Sequence, residues 1–231
     1  MSSRAEISQN EDEFETSGQL GDDIASLLCT SNFDGSDRDY LPEGCLDSLI
    51  TAKSIKCELD KFTQDLHLLK MEDSRRKARE MYTDDFRQEL GRWTQKNAPR
   101  TFATMVHCGL GPLYLLMSMQ KCRETKFDDH NLPIPAPDSL PESWNTSIWS
   151  RHKLRDFYDK QWKFLAPVFL KDKYHYDCKK NCIFPFTKEN VPPRYGAFST
   201  VYKVTVHEKH QKHDCMQAVS YLACFIVNSV A

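Results

Sequence analysis

The sequence has no long apolar run, and its N-terminus has no basic flank followed by an apolar stretch. A membrane-spanning helix needs about 20 apolar residues. The most apolar stretches are residues 102–119, which contain two glycines and a proline, and residues 221–231, which are too short. We therefore expect no membrane segment, no secretory signal and a cytoplasmic or nucleocytoplasmic location.

The chain also has little net charge, since its formal charge is -2 at pH 7. This balance hides an asymmetry, because residues 1–44 carry a net charge of -9 and the remainder carries +7. The basic and acidic residues of the remainder are interspersed and form no long run of one sign. We expect a solvated surface of mixed charge and no nucleic-acid partner.

Residues 1–44 are rich in Ser, Gly, Asp and Glu and have only isolated apolar groups, such as Phe14 and residues 24–28. Such a segment buries too little apolar surface to offset the entropy of ordering. We predict a disordered acidic tail over residues 1–44, in which a short helix around residues 23–28 would be marginal alone.

The chain has nine cysteines, an odd number, and no export signal, so we expect reduced thiols and not a disulfide framework. The residue types that bind zinc recur towards the C-terminus, at Cys178, Cys182, His207, His210, His213 and Cys215. Their Cys-x3-Cys and His-x2-His-x2-His spacings match no regular zinc motif, so we predict no metal site.

A helical region is predicted from residue 45 to residue 177. Apolar residues recur at spacings of three and four in residues 45–70, which predicts one long helix; they are Ala52, Ile55, Leu59, Phe62, Leu66 and Leu69. The stripe covers fewer than three heptads, so packing inside one domain is favoured over a coiled-coil dimer.

Further helices are predicted on both sides of a proline-rich connector. Residues 75–93 continue helically, with a buried edge at Met81, Tyr82, Phe86, Leu90 and Trp93. Pro99 is placed to begin the next helix, which residues 109–112 (Gly-Leu-Gly-Pro) should kink or split. Residues 130–141 contain four prolines and predict an extended connector. A last helix is predicted over residues 147–163, capped by Ser147 or Asn145.

After this helix the pattern becomes extended, and the clearest strand is residues 200–207, where apolar residues alternate. The predicted fold class is α+β: a mostly helical leader followed by a short antiparallel β element.

The segment before the clearest strand reads Arg194-Tyr-Gly-Ala-Phe-Ser-Thr-Val201. It resembles the glycine-rich loop of eukaryotic protein kinases, G-x-G-x-x-G-x-V. Aligned on Val201, the three glycine positions fall on Arg194, Gly196 and Ser199, so one of the three is glycine. The loop has small residues because backbone N–H groups must approach nucleotide phosphates closely. An ordinary hairpin of an unrelated domain also fits this pattern.

The resemblance extends to the flanking sequence. Ala98-Pro-Arg-Thr-Phe-Ala103, Asn131-Leu-Pro-Ile134 and residues 157–187 resemble the leader of a family of fungal serine/threonine protein kinase-like proteins. The resemblance covers about residues 98–206 and implies a nucleotide-binding loop, with Phe198 over the phosphates and Val201 on the adenine. The nucleotide-binding residues it implies are Arg194, Tyr195, Gly196, Ala197, Phe198, Ser199, Thr200 and Val201.

The later kinase motifs are missing. A kinase next needs V-A-I-K, H-R-D, D-F-G and A-P-E, and Gln217-Ala-Val-Ser220 places Ser220 where the strand lysine belongs. The 35 residues after Gly196 supply no catalytic base and no metal ligands. We therefore expect no catalytic residues in this chain, and weak or absent binding of ATP with Mg²⁺.

The resemblance ends at Val219-Ser220, a dipeptide that an intron start can encode. Residues 178–219 are then the start of a kinase domain: the first strand, the glycine-rich loop, the second strand and the start of the third. Residues 220–231 would be an aberrant apolar tail from translated intron sequence, which leaves the chain as a truncated gene product or a short isoform.

Two functions follow as expectations. The first is the N-terminal fragment of a serine/threonine protein kinase-like protein, with a degenerate ATP-binding loop and no activity of its own. The second is a non-enzymatic helical module that binds a protein partner through the stripe 52–69 and the aromatic helix 149–162.

Overall fold

Helices form most of the described chain up to residue 164, and most of the described strands follow. The computed structural model describes residues 20–32, 36–137, 149–170, 172–173, 175–188, 192, 194–195, 200–212 and 222–227. The fold is α+β, as the sequence predicts. No helix in these ranges is long and apolar enough to cross a lipid bilayer.

The α-helices are α1 (Leu20–Ser26), α2 (Cys45–Leu49), α3 (Ala52–Asp60), α4 (Glu72–Met81), α5 (Asp84–Asn97), α6 (Pro99–His107), α7 (Pro112–Thr125) and α8 (Arg151–Lys160). Segments of 3-10 helix cover Lys61–Leu68, Asp129–Asn131, Gln161–Phe164 and Glu208–His210. The strands are β1 (Cys29–Ser31), β2 (Arg38–Tyr40), β3 (Phe169–Leu170), β4 (Phe186–Lys188), β5 (Arg194–Tyr195), β6 (Thr200–Val206), β7 (Gln211–Lys212) and β8 (Leu222–Val227).

The single helix predicted over residues 45–70 is wrong, because it is three pieces: α2, α3 and a 3-10 segment. The break falls at Thr51, whose extended backbone and side chain start α3. Thr51 and Ser54 form a reciprocal capping box, in which each side chain accepts a hydrogen bond from the other residue's backbone N–H. The capping box therefore starts a new helix at this point, although the apolar spacing continues through it.

The apolar stripe itself is confirmed. Ile55, Leu59, Phe62 and Leu66 are all at most 4% exposed. They pack in one core with side chains of the following helices, including Leu90, Phe102, Leu113, Leu116 and Phe157. Burying each such side chain is worth roughly 1.5–3 kcal/mol, and the stripe packs inside the domain as expected.

The helix predicted over residues 75–93 is interrupted at Tyr82 and Thr83, between α4 and α5. Thr83 has an extended backbone, and its side chain accepts a hydrogen bond from the Phe86 N–H at 3.3 Å. Leu90 and Tyr82 are buried as predicted, but Met81 is 53% exposed. The prediction places Met81 and Leu90 on one buried edge of a single helix. Because α4 ends at Met81, this helical relationship between the two residues is lost.

The effects predicted for Pro99 and for the Gly-Leu-Gly-Pro segment are confirmed. Pro99 is the first residue of α6, and Pro112 is the first residue of α7. Gly109 lies between the two helices with φ of 68°, a conformation that glycine adopts without strain.

The prediction of a disordered tail over residues 1–44 does not hold for residues 20–32 and 36–44. Here α1 places Ile24, which is fully buried, in the helical core, and β1 pairs with β2 in an antiparallel ladder. Tyr40 and Leu41 are also buried. Composition misses this because the surface that covers these few apolar side chains comes from residues far along the chain. Residues 1–19 and 33–35 lie outside the described residues.

The predicted connector contains the 3-10 turn Asp129–Asn131, and residues 132–137 form neither helix nor strand. Residues 138–148, with the predicted caps Asn145 and Ser147, lie outside the described residues. The last helix, α8, begins after Ser150, whose side chain accepts a hydrogen bond from the Lys153 N–H at 3.4 Å. Its buried residue Phe157 packs edge-to-face with Trp149.

The strand predicted over residues 200–207 is confirmed as β6. Val204 and Val206 are buried and alternate with Thr205, as the sequence pattern requires. They form a small second core with Phe186, against which Phe169 and Phe184 pack.

Candidate functional site

The predicted nucleotide loop lies at an antiparallel hairpin. Strand β5 pairs with the start of β6, with Arg194 opposite Val201 and Tyr195 opposite Thr200. Residues 196–199 therefore connect the two strands as a four-residue link. Gly196, Ala197, Phe198 and Ser199 lie outside the described residues, as do the side chains of Thr200 and Val201.

The two described side chains of the loop face solvent. Arg194 is exposed and Tyr195 is 79% exposed. The two described residues of β5 therefore present their side chains to water.

Strand β6 is the centre of the sheet that supports the hairpin. Strand β8 pairs along β6 from Thr200 to Thr205, while β4 and β5 pair with the two ends of the opposite edge. The predicted third strand at residues 217–220 lies outside the described residues, and the described strand on that edge is Leu222–Val227. These residues were predicted to be an aberrant tail, and that origin stays a prediction.

The segment from β1 to α2 ties the sheet to the helices. The buried Ser31 hydroxyl donates to the carbonyl oxygen of Phe186 in β4 at 3.1 Å. The Arg38 guanidinium donates to the carbonyls of Asn181 and Cys182 at 3.2 and 3.1 Å. On the helical side, the Leu41 N–H donates to the carbonyl of Lys163 at 2.7 Å. We call residues 29–45 the strap.

The cysteines and histidines considered as zinc ligands have other roles where they are described. His207 and His210 have ring centroids 5.9 Å apart, but both ring nitrogens of His210 make hydrogen bonds to the backbone. The Cys178 and Cys182 thiols contact each other, and burial raises the pKa of Cys182 to about 12. In the described ranges no three His, Cys, Asp or Glu side chains converge in a way that would hold a metal ion. His213 and Cys215 lie outside them.

The sequence does not predict a pocket of about 220 Å³ between the strap and the start of α6. Its charged lining comprises Glu43, Asp47, Arg100 and Asp129. Arg100 and Glu43 form an ion pair at 3.4 Å across it. Burial raises the pKa of Asp129, although the N–H groups of Arg100 and Thr101 oppose the shift. Four of the ten lining residues come from the segment predicted to be disordered, so no local pattern could reveal the pocket.

Comparison of the chain with family models, with curated proteins and with solved structures finds no match.

Proposed function

We propose that this polypeptide is a kinase-derived chain in which a helical body carries the first hairpin of a serine/threonine protein kinase-like domain. The hairpin binds the phosphates of ATP weakly. The chain does not transfer phosphate itself, because its sequence supplies neither the strand lysine nor a catalytic base.

The observation that carries the proposal is the register of β5 and β6. The pairing of Arg194 with Val201 and of Tyr195 with Thr200 leaves four residues between the strands. A short link that contains small residues is what the approach of backbone N–H groups to a phosphate requires, and this supports the proposal. Strand β6 is anchored to the apolar cluster around Phe186 and Val204, so the sheet that carries the hairpin is supported.

The proposed site lacks parts that a kinase has, both in the sequence and among the described residues. No cluster of metal-binding side chains is found among them, and Ser220 stands where a kinase has its phosphate-binding lysine. Magnesium would arrive bound to the nucleotide.

The alternative, a helical module that binds a partner, loses the surfaces that the sequence assigned to it. The side chains of Ile55 and Leu59 are fully buried, and those of Trp149 and Trp162 are at most 7% exposed. A partner would have to use other groups. The large apolar side chains exposed on the described helical part are Leu27, Leu68, Met71 and Met81.

Thermal unfolding of the 231-residue chain with and without Mg-ATP tests the proposal. With a dissociation constant of about 1 mM, about 5 mM ATP stabilises the folded state by about 1 kcal/mol. This predicts an increase in Tm of about 2–4 °C. Gly196→Val should abolish the increase, because the valine side chain blocks the approach of phosphate.

Ser74→Val is the matched control, since it adds the same side chain on the exposed face of α4. It should keep the full response to ATP. An equal response in both variants would place nucleotide binding elsewhere, and no response in the wild type at millimolar ATP would favour the helical module.

A further inference from the structure

His210 is a buried titratable side chain at which three segments of the chain meet. It ends the 3-10 turn that follows β6 and is 1% exposed. Its Nδ1 lies 2.9 Å from the carbonyl oxygen of Pro167, and its Nε2 lies 3.1 Å from the backbone nitrogen of Glu43. One imidazole therefore connects the sheet, the segment that follows α8 and the strap.

The two backbone partners determine the protonation state of the ring. A carbonyl oxygen only accepts a hydrogen bond, so Nδ1 of His210 carries a proton and donates to Pro167. A backbone N–H only donates, so Nε2 is unprotonated and accepts from Glu43. A second proton on Nε2 would point at the Glu43 N–H across the 3.1 Å contact, so the charged ring cannot keep both hydrogen bonds.

We propose that His210 is a pH-operated latch: the neutral ring holds the end of β6 against the strap, and the protonated ring releases it. The latch depends on backbone contacts alone, so it operates whether or not the hairpin binds a nucleotide.

The groups around the ring favour its neutral form. The charged or titratable neighbours from its own turn are His207, Glu208 and Lys209. Those from the strap are Tyr40, Glu43 and Cys45, and Arg100 of α6 is paired to Glu43. The segment after α8 presents the uncharged Pro167 carbonyl. Burial is the largest cause and lowers the pKa of His210, and His207 lowers it further. The backbone carbonyls of Pro167 and Leu41 and the charge of Glu43 oppose the shift.

The direction of the pH effect follows from this lowered pKa. The folded-state pKa lies below the ordinary value of 6.5, so the latch contributes fully above about pH 6.5. Its contribution is lost as the pH falls from 6.5 towards the folded-state pKa. Each unit between the two pKa values changes the ratio of latched to released molecules tenfold at low pH.

Hydrogen exchange of the 231-residue chain at pH 7.5 and 5.5, corrected for intrinsic exchange rates, tests the latch. We expect amide protection in residues 41–45 and 203–212 to fall severalfold, and by no more than about tenfold, at pH 5.5, while α7 keeps its protection. His210→Gln should make protection in these segments independent of pH. His130→Gln replaces an exposed histidine and should keep the wild-type response.

A second measurement needs no variant. NMR titration of the wild-type histidine rings should give a pKa of His210 below 6.5, and the Glu43 amide should lose protection over the same pH range. Three results would overturn the latch: equal protection at both pH values, a wild-type response in the His210→Gln variant, or a His210 pKa at or above 6.5.

Discussion

The carboxylate of Asp129 accepts a hydrogen bond from the backbone N–H of Arg100, at 2.8 Å, in the first turn of α6. Its other oxygen accepts hydrogen bonds from the N–H and the hydroxyl of Thr101, at 2.9 and 2.8 Å. Ala98 precedes this helix and has no side chain that can cap it. The helix start is therefore completed by a residue that lies far along the chain.

Asp129→Ala should lower the free energy of unfolding by about 1–2 kcal/mol, the usual cost of losing a helix cap. Asp129→Asn should cost less, because its amide oxygen accepts one of the N–H groups and no charge is buried. Urea unfolding followed by far-UV circular dichroism at pH 7 measures both changes. Asp172→Ala, at an exposed position, should have no measurable effect. Equal stability of wild type and Asp129→Ala would contradict a capping role.

Asp65 completes the start of α7 in a similar way. Its Oδ2 accepts a hydrogen bond from the Leu113 N–H at 3.3 Å, and a Cβ on Gly111 would lie 2.7 Å from that oxygen. Gly111→Ala should push the carboxylate away and destabilise the protein by about 1 kcal/mol. Gly21→Ala in α1 is the matched control, because its Cβ would meet nothing closer than a Val106 methyl at 3.8 Å.

A double-mutant cycle then tests the mechanism. If Gly111→Ala acts by displacing Asp65, it should cost little in an Asp65→Ala background. Additive costs would show that the two residues act independently.

These caps show where prediction from sequence succeeds and where it ends. Pro99 and Pro112 indicate where α6 and α7 begin, and the alternation at Val204 and Val206 indicates β6, because each signal lies within a few residues. Asp129 and Asp65 act on helices that lie 28 and 48 residues away. No local pattern identifies them.

The same limit explains the strap. The strap has too few apolar residues for its composition to predict an ordered segment, yet Tyr40 packs with Trp162, Ala166 and Ile183. The candidate site was predictable as a hairpin, since the pairing of β5 with β6 follows from the residues that flank Gly196. The contacts that hold this hairpin to the helices were not predictable, because they depend on Ser31, Arg38 and His210 together.

Arg38→Ala should loosen the segment that leads into β4. The guanidinium makes two hydrogen bonds to the carbonyls of Asn181 and Cys182, and a bond from a charged donor is worth about 1.5–3 kcal/mol. Since 1.4 kcal/mol corresponds to tenfold, tryptic cleavage after Lys179 and Lys180 should become at least tenfold faster.

Arg155→Ala is the control for this proteolysis experiment. Arg155 is exposed on α8 and approaches Asp159 only to 3.9 Å, so its loss should leave the cleavage rate unchanged. Equal acceleration in both variants would mean that the strap does not hold the 181–182 segment.

Cys178 and Cys182 should differ in reactivity although their sulfur atoms contact each other. Burial raises the pKa of Cys182 to about 12, so at pH 8 only about one thiol in ten thousand is in the reactive thiolate form. Partial burial also raises the pKa of Cys178, but the contact with Cys182 lowers it, and Cys178 is exposed. Iodoacetamide should therefore label native Cys178 at least a hundredfold faster, as measured by mass spectrometry of the digested protein. In urea both thiols are exposed to solvent and should react at similar rates. A large difference in rate that persists in urea would contradict the burial of Cys182 against the strap. Equal rates in the native protein would contradict it too.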